Sequence, residues 1–188
     1  MHRQSWFRLA PLLLCSLLAN LPFLPAAKAE MLQFSTPDGV KSWPKLPDIA
    51  DWHQDQDSSL NLTANSLIPD GVDPANAEVT IQARGFPRRN VSGTTSLSQL
   101  MDKDRASAPA GSTIEKRADV FDKDGVPFTM ISITPAVGQV GEWKAMAYSE
   151  EGDYLLAFTL LAHSKAAYDK NYTVFTGLIQ KYAKDIPW

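Results

Sequence analysis

Two patterns of different period lie back to back between Tyr154 and Tyr182, and nothing else in the chain constrains its fold as strongly. Tyr154, Leu156, Phe158, Leu160 and Ala162 alternate as one face of a strand. Leu155, Ala157 and Leu161 make the opposite face apolar as well. A strand that is apolar on both faces has to be covered on both, so it belongs in the middle of a sheet. Tyr168, Tyr172, Phe175, Ile179 and Tyr182 then step by four, three, four and three, with Leu178 alongside. That is the apolar stripe of an amphipathic helix. Burying each large side chain contributes about 1.5–3 kcal/mol, so the helix is expected to dock across the sheet.

The junction between the two patterns is His163–Ser164. Ser164 stands at the N-cap position, where its hydroxyl accepts from orphan backbone N–H groups. Asp169 near the first turn and Lys181 near the last favour the helix dipole. A hydrolase reading would use His163, or His53 far upstream, as the base. It has little to stand on, because adjacent residues at such a junction seldom face one another and no G-x-S-x-G elbow occurs.

Other elements follow from turns and spacing. Residues 113–125 and 126–134 predict a hairpin turning at Asp122-Lys123-Asp124-Gly125. Residues 143–148 and 154–162 predict another, turning at Glu150-Glu151-Gly152-Asp153. Neither turn has the spacing of a calcium loop. Ser96-Leu97-Ser98-Gln99 is a capping box that opens a helix through Leu100 and Met101, with Pro109 and Gly111 ending it near Ala108. Leu60, Leu62 and Ala64 alternate, as do Val79, Ile81 and Ala83, with a turn at Pro69-Asp70-Gly71 between them; two half-buried strands are expected.

The first 29 residues read as a signal peptide. His2, Arg3 and Arg8 are basic, Leu9–Leu24 is apolar but broken by Pro11, Asn20 and Pro22, and Ala27-Lys28-Ala29 is an A-x-A cleavage signal before Glu30. A periplasmic or secreted protein is expected, with no transmembrane segment after cleavage. Removing Arg3, Arg8 and Lys28 leaves fifteen basic residues against twenty-one acidic ones, a net charge of −6. That disfavours nucleic acid as a partner. Cys15, the one cysteine, leaves with the leader, so disulfides and thiolate chemistry are excluded from the mature protein.

Residues 30–57, rich in Pro and Asp, are expected to form an extended N-terminal arm laid over the domain by Phe34, Trp43 and Trp52, with one short strand at 31–35; residues 58–188 would be a single domain. Within the arm, Asp51, His53, Asp55 and Asp57 would share one face if extended, a weak candidate set for a divalent cation. A solvated acidic segment is the simpler reading, and no metal or other cofactor is expected. Arg84, Arg88 and Arg89 are the only basic cluster after the leader and could dock an acidic partner.

In order and pattern the chain resembles the PsbP-like superfamily, which includes Mog-type Ran-binding proteins, DcrB-like lipoproteins and chaperones of type VI secretion effectors. The resemblance covers residues 58–184: two early strands, the helix after "SLSQL", the block "WKAMAYSEEGDYLLAFTLLAHS", then "YDKNYTVFTGLIQKY". It implies an α+β sandwich with a central antiparallel sheet and a binding or assembly role without a shared catalytic motif. The pattern as a whole predicts about five to seven mostly antiparallel strands flanked by helices. The leading functional expectation is a non-enzymatic module that binds another exported protein, through Trp43, Trp52, Arg84, Arg88 and Arg89. The alternative is a small-ligand carrier with a pocket between sheet and final helix, lined by Tyr168, Tyr172 and Phe175.

Overall fold

The computed structural model describes residues 31–36, 39–88 and 96–183. The leader, its cleavage site and Arg89 lie outside the described residues.

Three helices and ten strands are present among them, in the order β1 (Met31–Thr36), β2 (Gly39–Pro44), β3 (Trp52–Gln54), α1 (Gln56–Leu62), β4 (Asn65–Pro69), β5 (Val79–Pro87), α2 (Leu97–Ala106), β6 (Thr113–Lys116), β7 (Val120–Phe121), β8 (Pro127–Thr134), β9 (Trp143–Glu151), β10 (Tyr154–Ala162) and α3 (Lys165–Lys181). β3-β4-β5-β10-β9-β8-β6 form one sheet with β7 also on β8, eight strands in all; β1 and β2 make a separate hairpin. Every pairing in the sheet is antiparallel.

The α+β class with a central antiparallel sheet flanked by helices is therefore as expected. The strand expected over 113–125 is split into β6 and β7, and the additional strands of the sheet are β3 and β4, of three and five residues. Segments this short show little period in the sequence.

β10 lies between β5 and β9, as its two apolar faces require. On one face, α3 seats Tyr168, Phe175, Leu178, Ile179 and Tyr182 against Val79, Ile81, Phe128, Leu156, Phe158 and Leu160. On the other, Leu100 and Met101 of α2 cover Ile131, Met146, Tyr148 and Leu155. Both helices carry the expected caps. Ser164 Oγ accepts from Ala167 N at 3.1 Å, and Ser96 and Gln99 exchange the reciprocal pair of a capping box.

Both hairpins form where the turn residues put them. Asp122 Oδ1 accepts from Asp124 N at 2.9 Å and Val126 N at 2.7 Å, and Gly125 supplies φ +79°. The second turn is tighter than expected: Glu151 pairs with Tyr154, leaving Gly152 and Asp153 as the loop, with φ +54° at the glycine.

Two expectations are corrected. Leu60, Leu62 and Ala64 do not alternate along a strand. Asp55 caps a helix there by accepting from Ser58 N at 2.7 Å, and both leucines are exposed, so their spacing carried no burial signal. The segment up to residue 57 is also more than an extended arm. It holds the β1–β2 hairpin and the edge strand β3, and a boundary at Asp57 falls inside α1. Trp43 stacks on Phe34 with ring centroids 4.3 Å apart, and Asn65 Nδ2 donates to Pro44 O at 3.1 Å, pinning the hairpin to the sheet.

Phe175 is fully buried at the centre of the α3 contact. Phe175→Ala is expected to lower unfolding stability by about 3–5 kcal/mol, read as a shift in urea midpoint followed by tryptophan fluorescence.

Candidate functional site

Strand register decides what lies on the face that α2 only partly covers. Ile114, Ile133, Lys144, Leu161 and Thr80 pair in sequence across β6, β8, β9, β10 and β5, so they form one row on one face. The adjacent row is Lys116, Ile131, Met146, Thr159, Gln82 and Ser66. Tyr148, Ala157 and Arg84 belong to the third. Because α2 sits over Ile131, Met146, Tyr148 and Leu155, the part of the floor nearer β5 is left open.

The result is a cleft of about 420 Å³. Its floor is Gln82, Arg84, Ile133, Lys144, Met146, Thr159 and Leu161. The last turn of α2 and the segment after it supply one wall through Asp104, Ser107, Ala108 and Pro109; Gly141 and Glu142 supply another.

Four charged groups line this space, and they are not equally satisfied. Lys144 Nζ and Glu142 Oε2 form an ion pair at 2.8 Å. Asp104 Oδ2 accepts from the Tyr148 hydroxyl at 2.9 Å. Burial pushes the Asp104 carboxyl above its ordinary range, against the opposing pull of that hydrogen bond and of Arg84, Lys103 and Lys144. Burial, then the charge of Asp104, drives the Tyr148 hydroxyl upward in turn. Among the described residues Arg84 has only a long bond from Nη2 to Gln82 Oε1 at 3.4 Å, and its Nε is shut off from solvent with no acceptor.

The expected site residues are dispersed. Trp43 is 1% exposed and cannot meet a partner; it is spent on anchoring the β1–β2 hairpin, the other place expected of it. Trp52 is partly buried against the α3-side core. Arg88 is held by an ion pair with Glu150, and its amide donates to Asp153 O at 2.8 Å. Of the described arginines, Arg84 alone lines the cleft.

Tyr168, Tyr172 and Phe175 line none of the clefts described here. Phe175 and Tyr168 are core, and Tyr172 packs against them with the Arg117 guanidinium 5.8 Å from its ring centre. Burial, with Tyr172 second, pushes the Tyr168 hydroxyl up to about 12. A cleft of about 650 Å³ does lie beside α3, but on its other side, lined by Trp52, Val72, Glu78, Ala167, Lys170 and Val174 among others.

The Asp51–Asp57 face is broken by α1. Asp51 sits in a turn with φ +66°, Asp55 is an N-cap and Asp57 is in the helix. His53 Nδ1 meets Asp70 Oδ1 at 2.8 Å instead. Among the described residues no group of three His, Cys, Asp or Glu side chains gathers as a metal site would require. His163 is exposed; its amide donates to Glu78 O at 2.9 Å, and Ser164 is committed to its cap.

Sequence reasoning missed this cleft. The signal was the alternation of Thr80, Gln82 and Arg84 in β5 opposite its three buried partners, but it took the register with β10 and β9 to bring Lys144 and Leu161 beside them.

No protein-family model matches the sequence, and no curated protein matches it either. Among solved structures, the chain is similar to PA94, a Pseudomonas aeruginosa protein of unknown function, at TM-score 0.48 and 12% identity, over 85% of this chain and 99% of that one. It is similar to LpqN, involved in cell envelope biogenesis of Mycobacterium tuberculosis, at TM-score 0.45 and 12% identity, over 80% and 87%. Its similarity to the Saccharomyces cerevisiae Ran-binding protein Mog1p has TM-score 0.40 and 8% identity, over 83% and 87%. These are similarities of chain path, and they assign no activity here. No helix among the described residues is long and apolar enough to cross a membrane.

Two measurements check this geometry. Ser164→Ala is expected to cost about 0.5–2 kcal/mol of stability as a lost cap, while His163→Ala changes it by less than about 0.5 kcal/mol as an exposed substitution. Asp104 titrates above its unfolded value, so the native state binds the extra proton and its contribution to stability declines as pH rises between those two values. Asp104→Asn should remove that decline in unfolding free energy measured across the acidic range.

Proposed function

We propose that this protein is a non-enzymatic, exported binding module that engages another exported protein through the α2 face of its sheet. One observation carries the reading. Val137 and Val140, on the loop between β8 and β9, are 103% and 102% exposed. That loop leads directly into Gly141 and Glu142 at the cleft wall.

Single exposed apolar side chains are ordinary, but these two share a four-residue stretch turning at Gly138, where φ is +80°. Ile114, 38% exposed, pairs with Ile133 of the cleft floor on the neighbouring strand. Gly111 lies close to Ala136, bringing the segment after α2 against the same loop. Apolar tips around a mixed-charge cleft form a surface that loses unfavourable hydration when another chain covers it. The signal peptide read in residues 1–29 would place that encounter outside the cytoplasm. The reading needs no reacting group, and Ser164 already spends its hydroxyl on the α3 cap.

A photo-crosslinking amino acid at Val140 tests it in the cells that export the protein. The expected outcome is one discrete heavier adduct from that position and none from the same group at Gln180, exposed on α3. Equal labelling at both positions, or none at Val140, would count against a specific partner on this face.

A carrier reading keeps one supporting observation, the 650 Å³ cleft beside α3, which has the size of a small-molecule site. Native mass spectrometry of protein purified as exported would show a stoichiometric adduct if it is right.

A further inference from the structure

We propose that the α2-side cleft is a carboxylate-binding site, in which the Arg84 guanidinium takes the carboxylate and Leu161, Met146 and Ile133 take the apolar stem that bears it. This rests on the cleft's geometry and deepens the binding role assigned to the same face above.

Arg84 is the reason. A guanidinium carries five N–H donors and a charge that is held in every ordinary pH range. Among the described residues it forms no ion pair, and its sole hydrogen bond is the 3.4 Å contact with Gln82 two residues earlier on β5. Its Nε is buried without an acceptor. Polar groups left unsatisfied at a cleft wall are uncommon in native proteins, because each forfeits its hydration for nothing in return. Neither nearby carboxylate bonds it. Glu142 is paired with Lys144 at the rim, and Asp104, near enough to feel the Arg84 charge, accepts from the Tyr148 hydroxyl.

Position adds to this. Arg84 pairs with Ala157 on β10, whose methyl is buried in the α2-side core, so the guanidinium stands at the end of the cleft floor next to that core. Moving away from it, the next rows present Gln82, Thr159 and Met146, then Lys144, Leu161 and Ile133. A ligand laid along these rows meets the guanidinium first, then Gln82, Thr159 and Met146, then Leu161 and Ile133 beside the Lys144–Glu142 pair. Planar, bidentate recognition of a carboxylate is what the arginine fork does best. The shared chemistry is a carboxylate on an apolar stem. It can come from an acidic side chain of the partner protein or from a free aliphatic acid.

Octanoate is the probe, added to nitrogen-labelled protein purified as exported. The Arg84 Nε–H is followed by NMR, since a buried N–H exchanges slowly enough to be seen. A saturable shift of that resonance is expected, with octanol giving none. In Arg84→Gln, octanoate affinity read from the neighbouring Thr159 and Leu161 amides should fall at least about tenfold, the usual worth of a hydrogen bond to a charged group. Saturation without movement of the Arg84 signal, or equal affinity in Arg84→Gln, overturns the site, and so does no binding at all; the wild-type titration decides even if the variant fails to fold.

The crosslink at Val140 separates the sources. An adduct that no longer forms when octanoate is present during irradiation assigns the carboxylate to the partner. An adduct that survives saturating octanoate assigns it to a free acid. If octanoate fails at Arg84 while the adduct persists, the carboxylate site is lost and the protein-binding role stands.

Discussion

The contact on which the rest of the structure depends is the seating of the α3 stripe on β5, β10, β9 and β8, and Tyr182 is where that contact is fastened. Its ring meets Phe158 and Phe128 edge-on, with centroids 5.1 and 6.0 Å away and planes at 88°. Its hydroxyl donates to Glu151 Oε2 at 2.8 Å, and its carbonyl accepts from Lys123 N at 3.0 Å. Glu151 closes the β9–β10 hairpin and Lys123 belongs to the β7–β8 turn. One residue after the last helical turn therefore ties the helix to both hairpins. Burial and the Glu151 carboxylate both drive its hydroxyl upward, so the proton that makes this bond is retained throughout the ordinary pH range.

With that face sealed, the opposite one is free to differ. α3 runs 17 residues and α2 only 10, ending at Ala106 because Ser107 caps it and Pro109 cannot continue it. A ten-residue helix is about 15 Å long, too short to roof seven strands spaced roughly 4.8 Å apart. The cleft is thus a consequence of unequal helix lengths on two faces of one sheet. Its polar floor follows from β5, whose Val79, Ile81 and Ala83 face α3 while Thr80, Gln82 and Arg84 face the gap. Had α2 been a turn or two longer, those three positions would have needed apolar residues.

Much of this was legible before the coordinates. The α3 stripe, the doubly apolar β10, the capping box at Ser96 and both hairpin turns were all readable, because each is a local pattern whose cause lies within a few residues. Alternation tells which face a residue takes but not which strand lies beside it. The pairing of β5 with β10, far apart in sequence, was therefore invisible, and with it the row joining Arg84 to Lys144 and Leu161. The same limit produced the error at Leu60 and Leu62. Two exposed leucines imitate a strand, while the real signal is Asp55, an N-cap that the preferred reading leaves in a solvated acidic segment. Trp43 was expected both to lay the segment over the domain and to meet a partner, and burial in the hairpin leaves it only the first.

Gly85 marks where the N-terminal hairpin meets the sheet: a Cβ there would stand 2.2 Å from the Met31 methyl, so a larger residue would displace that side chain. Gly85 directly follows Arg84. Whatever holds the hairpin down on one face of β5 also fixes the backbone that presents the guanidinium on the other, since successive residues of a strand point to opposite sides. The segment expected to lie over the domain as an extended arm thus meets the same strand that carries Arg84.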